Sequence, residues 1–170
     1  MVKLKKSYKD KKMNIAFSGP RNLTKQQEKE IYLHFEYFIS WQCENWYVGD
    51  ADGLDNFVRR AAAYYKKQLT VFEVEGNQRW HFAKRSKQMI DAISQLKDPW
   101  LYAFPNKPCP EECKPCSNIN GAGSGTWLTI AYAKYKGINI YLFPVFKNRY
   151  EDNSWRPSWL DDEPQQLTLF

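Results

Sequence analysis

From residue 13 onward the chain alternates short apolar runs with stretches of helical periodicity, and glycine or proline punctuates the junctions. That pattern leaves few folds open. A short apolar run between turn residues reads as a buried strand, whereas apolar residues three and four apart read as the inner face of a helix. Ile15-Ala16-Phe17 is stopped by Gly19-Pro20, Trp46-Tyr47-Val48 by Gly49-Asp50, Leu69 to Val74 by Gly76, and Trp100 to Phe104 by Pro105. Ile138 to Phe143 is a fifth strand. Thr24, with Gln27 three residues on, makes a capping box for a helix that places Ile31, Phe35, Phe38 and Ile39 on one face. Asp55 is the expected N-cap of a second helix burying Val58, Ala61, Ala62 and Tyr65. Phe82, Ser86, Met89, Ile90 and Ile93 mark a third. A fourth opens at Gly123-Ser124-Gly125-Thr126 and runs to about Lys136, with Gly137 at C′. Strands alternating with helices predict an α/β domain: a Rossmann-like three-layer sandwich with a mostly parallel five-stranded sheet.

The 170 residues suit one domain of this kind. The expected division is a basic flexible arm over 1–12, the folded domain over 13–145, and an irregular tail over 146–170. Lys3, Lys5, Lys6, Lys9, Lys11 and Lys12 make the arm basic, and it reads as a solvated tail, with phosphate-backbone scanning as the alternative. No apolar run approaches the ~20 residues that cross a bilayer. The basic start lacks the apolar core of a secretory leader. Four cysteines, three of them in one loop, do not form an extracellular disulfide framework. The expectation is a cytoplasmic protein with no membrane partner; self-association is left open.

In a parallel α/β sheet, ligands bind at the carboxyl ends of the strands, near the point where strand order reverses. Three of the turns there combine glycine with charged or hydroxyl residues: Ser18-Gly19-Pro20-Arg21, Gly49-Asp50-Ala51-Asp52-Gly53 and Gly121-Ala122-Gly123-Ser124-Gly125-Thr126. Glycine lets backbone approach a ligand closely, and free N–H groups at a helix start attract an anion. Ser124 and Thr126 add hydroxyl donors, Arg21 can neutralise a phosphate, and Asp52 or Asp55 can accept from a ribose or a base. Asp50, Asp52 and Asp55 also have the chemistry of a general base or metal ligands, against a bland alternative of turn formation and helix capping. His34 and His81 have no partner set by spacing and read as structural.

The order of these motifs, Met13 to Arg21, Gly49 to Asp55, then Ala103-Phe104-Pro105 followed by Gly125-Thr126, resembles the SLOG superfamily. That group unites the DNA-processing Smf/DprA proteins, the LOG phosphoribohydrolases and the small YspA/YpsA-like proteins, and the chain is most similar to the last of these. Arg85 is similar to an arginine that YspA-like proteins carry early in the third helix. The resemblance, over roughly residues 13 to 145, implies a Rossmann-like fold and a site for a nucleotide or nucleotide derivative at the three turns. Two departures stand out. LOG enzymes place a glutamate soon after Gly-Thr, where this chain has Trp127, Leu128 and Thr129. Asp52 stands where related proteins often carry arginine.

Cys109-x3-Cys113-x2-Cys116 lies in a long Cys- and Pro-rich loop at 105–121, just before the Gly-Thr motif. Zinc would need a fourth ligand from Cys43 or a histidine, which no spacing defines, so reduced thiols are expected and no metal is favoured. The loop is expected to cover the ligand.

The expected function is binding of a nucleotide-like ligand, as a sensor or accessory factor linked to DNA metabolism. The alternatives are an enzyme acting on a nucleotide or nucleoside derivative, and a DprA-like DNA-binding module. The last connects with the C-terminus, where Gln166-Leu167-Thr168-Leu169-Phe170 resembles the short peptide by which many bacterial replication and repair proteins dock on the sliding clamp. Leu169 and Phe170 would enter an apolar pocket while Gln166 sets register by hydrogen bonding; alternatively, Leu167, Leu169 and Phe170 pack as a strand. Purified protein is expected to bind a bacterial sliding clamp in a calorimetric or pull-down assay, and a Leu169→Ala, Phe170→Ala double variant is expected not to.

Overall fold

A computed structural model describes residues 13–42 and 44–161. Five strands form one sheet: β1 (Asn14–Ser18), β2 (Asn45–Gly49), β3 (Gln68–Phe72), β4 (Pro99–Ala103) and β5 (Asn139–Leu142). Four helices connect them: α1 (Lys25–Tyr37), α2 (Leu54–Tyr64), α3 (Arg79–Ser94) and α4 (Gly125–Tyr135). The sheet order is β3-β2-β1-β4-β5, and all four pairings are parallel. The expected Rossmann-like three-layer architecture is present, with a sheet that is wholly rather than mostly parallel. Strand limits agree with the apolar runs to within two residues, while α3 begins three residues before its first apolar marker, Phe82. None of the described helices is long and apolar enough to cross a membrane.

β1 is central and buried along its whole length, so its alternating side chains feed two cores. Ile15 and Phe17 join Phe35 of α1, Leu54 and Val58 of α2, and Trp46 and Val48 of β2 on one face. Ala16 joins Met89, Ile90 and Ile93 of α3 and Trp127, Ile130 and Ala131 of α4 on the other. Both faces are covered by helices, which is why the strands carry apolar residues on both sides. α1 begins with the anticipated box: Thr24 Oγ1 accepts the Gln27 N–H at 3.1 Å, and Gln27 Oε1 accepts the Thr24 N–H at 3.0 Å. α4 ends as expected, with Gly137 at φ +73°.

Two expectations need correction. The cap of α2 is Gly53, not Asp55; Gly53 sits at φ +68° and supplies no side chain, while Asp55 is buried one residue inside the helix. The packed unit also continues past residue 145. Trp155 and Leu160 are buried against α4 and the Cys-rich loop. The Trp159 indole N–H donates to the Cys113 carbonyl at 3.2 Å, and the Cys109 N–H donates to the Trp155 carbonyl at 3.0 Å. Aromatic residues spaced without periodicity, on turns and a short 3₁₀ segment (Ser158–Leu160), close this core where no helix or strand signal exists. Leu160 is fully buried, so Leu160→Ala is expected to destabilise the domain by about 2–5 kcal/mol. Urea unfolding checks this; a loss under about 0.5 kcal/mol would make the segment an appendage, since that is the scale of surface substitutions.

Candidate functional site

The chain runs outward from β1 to β3, then returns to lay β4 against the other side of β1. The connections leaving β1 and β4 therefore diverge to opposite sides of the sheet and leave a crevice at the strands' carboxyl ends. A cleft of about 630 Å³ occupies this position, within the usual size range for small-molecule sites. One wall is the turn after β1, from Ser18 to Asn22, with Gly49, Ala51 and Asp55 below it. Opposite stands the start of α4, Gly121 to Thr126 with Leu128. α3 closes a third side through Arg79, Trp80, Phe82, Ala83, Arg85, Ser86 and Met89, and the loop after β4 contributes Asn106, Lys107, Ile119 and Asn120.

Of the residues singled out in the sequence, Ser18, Gly19, Pro20, Arg21, Gly49, Asp55, Arg85, Gly123, Ser124, Gly125 and Thr126 line this cleft together. Asp50, Asp52 and Gly53 do not. Asp52 is solvent-exposed and lies outside the cleft lining. Gly53 packs behind the first turn, where a Cβ would come 2.3 Å from the Pro20 carbonyl oxygen. The Leu54 N–H donates to that same oxygen at 3.0 Å. The second turn thus braces the first.

Asp50 is a scaffold group. Its carboxylate accepts the Val74 N–H at 2.9 Å and the Arg85 guanidinium at 2.7 Å. Partial burial opposes its ionisation, but these two donors hold its carboxyl below the usual range. Asp55 behaves in the opposite way. Burial pushes its carboxyl up to about 6, against the pull of Arg85 3.6 Å away and the Ala51 N–H at 3.2 Å. A carboxyl on the cleft wall therefore changes charge near pH 6. Arg59, which the sequence did not single out, donates to the carbonyls of Gly49 (3.0 Å) and Ala51 (3.1 Å) and fixes the turn that holds both acids.

The entry to α4 has an unusual backbone. Ala122 and Gly123 are both left-handed, at φ +46° and +86°; for alanine this costs roughly 1–2 kcal/mol. The Ala122 N–H is held by Asn120 Oδ1 at 2.9 Å, and Ser124 caps the helix by accepting the Trp127 N–H at 3.1 Å. The N–H groups of Gly125 and Thr126 lie in the first turn, where a helix provides no acceptor. A Cβ at Gly123 or Gly125 would meet no protein atom within 4 Å. Packing gives no reason for glycine at 125: its φ is not left-handed and the space beside it is empty. Charge follows the same design: among the described residues, Arg21, Arg79, Arg85 and Lys107 line the cleft, with Asp55 the one acidic side chain.

From α3, Arg79, Trp80 and Ala83, which the sequence does not single out, and Phe82, Ser86 and Met89, which it reads only as one face of a helix, line the cleft. The Cys-rich loop does reach the cleft, through Asn106, Lys107, Ile119 and Asn120. Its cysteines serve elsewhere. Cys113 is buried, with its thiol donating to the Trp127 carbonyl at 3.5 Å; Cys109 is half-buried beside it, its thiol pushed up by that neighbour and by burial; Cys116 is exposed. Among the described residues no group of three His, Cys, Asp or Glu side chains is arranged to hold a metal ion. Cys43 and the tail Gln166, Leu167, Leu169 and Phe170 lie outside the described residues. Comparison with family models, curated proteins and solved structures finds no match to this chain.

Asp55 gives the cleft a charge that depends on pH. Its folded pKa lies above the ordinary value, so its charge costs stability above pH 6, and that cost fades as pH falls toward 4. Below pH 6 the neutral carboxyl no longer offsets Arg85, and the cleft becomes more positive. A cyclic mononucleotide, whose phosphodiester charge is constant in this range, is expected to bind roughly three- to tenfold more tightly at pH 5 than at pH 7.5. Calorimetric titration of wild type and Asp55→Asn checks this; the variant's affinity is expected to be nearly flat with pH.

Proposed function

We propose that this chain binds a nucleotide or nucleotide-derived ligand, with a phosphate seated at the N-terminus of α4, as a sensor or accessory factor linked to DNA metabolism. One observation carries the reading: Gly123 and Gly125 belong to the cleft lining, and a Cβ at either would meet open space rather than protein. Glycine there leaves room for an anion to reach the first-turn N–H groups, whose dipoles and missing acceptors favour negative charge. The cationic lining and the location at the reversal of strand order support the same reading. So does the resemblance to SLOG proteins in the order of the three turns.

Gly125→Ala separates binding from folding, because a methyl group at 125 has no protein neighbour to displace. It tests the site more cleanly than a change at Gly123, whose left-handed backbone would strain any replacement. The variant without ligand is expected to melt at or above the wild-type temperature, since Gly→Ala at a compatible site stabilises by about 0.4–1 kcal/mol. Mononucleotides and dinucleotides are expected to raise the wild-type melting temperature. The variant should bind them about tenfold or more weakly, the scale of losing a hydrogen bond to a charged group. Equal ligand responses from both proteins would remove the site assignment. Consumption of the bound nucleotide during titration would identify the enzyme alternative, with Asp55 the first carboxyl to replace.

A further inference from the structure

The α4 end of the cleft accounts for a phosphate but for nothing else in a nucleotide. The complementary features lie at the start of α3. Trp80 borders the cleft while 61% exposed. An indole left this open normally costs conformational freedom if a ligand must order it. Here the cost is already met. The Trp80 ring stacks on His81, with centroids 3.7 Å apart and planes 29° from parallel. His81 is itself fixed, its Nδ1 accepting the Gln78 N–H at 3.1 Å at the helix cap. It nests against Gly76, where a Cβ would come 2.4 Å from the imidazole Cε1. Glycine at 76, histidine at 81 and tryptophan at 80 thus form a braced stack at the cleft rim. Beside it the Arg21 guanidinium lies over the Phe82 ring, 3.8 Å from its centroid, and both residues also line the cleft.

We propose that the first turn of α3 is a base-recognition subsite, at which a nucleobase stacks on the Trp80 indole beside the Arg21–Phe82 pair. Flat aromatic and guanidinium surfaces bind nucleobases through their π faces and tolerate differences in base identity. The subsite rests on the nucleotide reading above and narrows it: the ligand class is one with an aromatic base as well as a phosphate, rather than a sugar phosphate or a free anion. Arg79 and Lys107 on the same lining supply positive charge for further phosphates.

Calorimetry on full-length protein tests this with the four nucleoside 5′-monophosphates and ribose 5-phosphate, against wild type, Trp80→Ala and Trp80→Phe. The tightest-binding monophosphate is expected to lose roughly five- to a hundredfold in affinity in Trp80→Ala. Trp80→Phe is expected to recover most of that loss. Ribose 5-phosphate, lacking a base, is expected to bind all three proteins equally. Because the indole is mostly exposed, melting temperatures should agree within a degree or two. Monophosphate binding unchanged within twofold in Trp80→Ala would overturn the subsite and leave the phosphate site standing. Equal weakening of monophosphate and ribose 5-phosphate would also overturn it, because the indole would then not be reading the base. Binding of neither ligand class by wild type would remove both the subsite and the nucleotide reading.

Discussion

The cleft depends on one buried cation. Arg85 reaches from α3 across the carboxyl end of β2, pairing with Asp50 at 2.7 Å and lying 3.6 Å from Asp55. Removing one partner of a buried ion pair costs about 3–5 kcal/mol, because the other charge is left uncompensated. The cluster therefore holds α3 at a set height over the sheet, and everything α3 presents to the cleft follows from that height. It also dictates Gly49: a Cβ there would lie 2.5 Å from Arg85 Cζ and 2.6 Å from Asp55 Oδ2. The expected ligand turn after β2 is thus mainly a structural joint. Only Gly49, Ala51 and Asp55 of that stretch face the cleft.

Division of labour between neighbouring acids follows from their surroundings. Asp50 has two good donors and stays ionised; Asp55 is buried more deeply than its partners can offset, and is half-neutralised near pH 6. Two carboxyls with pKa values pushed apart around one guanidinium give the cleft a charge that is set by the fold at one position and by pH at the other. Sequence spacing reveals the three aspartates at 50, 52 and 55 but not which one is buried, since that depends on α2 beginning at Leu54 with a glycine cap.

Much of the architecture was legible because the parallel sheet, covered on both faces, writes itself as apolar runs. Asn14 to Ser18 and Leu101 to Ala103 need no partner to be recognised as strands. The cleft's location was legible for a related reason: strand–helix alternation places every strand-to-helix turn at one edge. What escaped was packing without periodicity. Trp155 and Leu160 fill the core from turns, where neither helical nor strand spacing marks a buried residue. The α3 stripe escaped for a different reason. Apolar spacing marks the face of a helix toward the protein but does not distinguish a filled core from an open cleft beside it. Ser86 and Arg79 interrupt that stripe with polar groups, which is the available hint that part of the face is solvated.

Trp127 shows why the start of α4 carries no carboxylate just after Gly125-Thr126. Its indole is fully buried among Trp155 and Trp159 at centroid distances of 6.4 Å, and its N–H donates to the Lys107 carbonyl at 2.8 Å. That hydrogen bond ties the Cys-rich loop to α4 and so sets the wall bearing Asn106 and Lys107. A glutamate at 127 would exchange an aromatic anchor for a buried charge, which is costly unless paired. Leu128 and Thr129 are also buried, and Thr129 bonds its own helix through the Gly125 carbonyl at 2.8 Å. The three positions after Gly125-Thr126 are therefore occupied by the packing that shapes the cleft. Among the described residues, Asp55 is the one carboxyl lining the cavity, so it is the acid group available to this site.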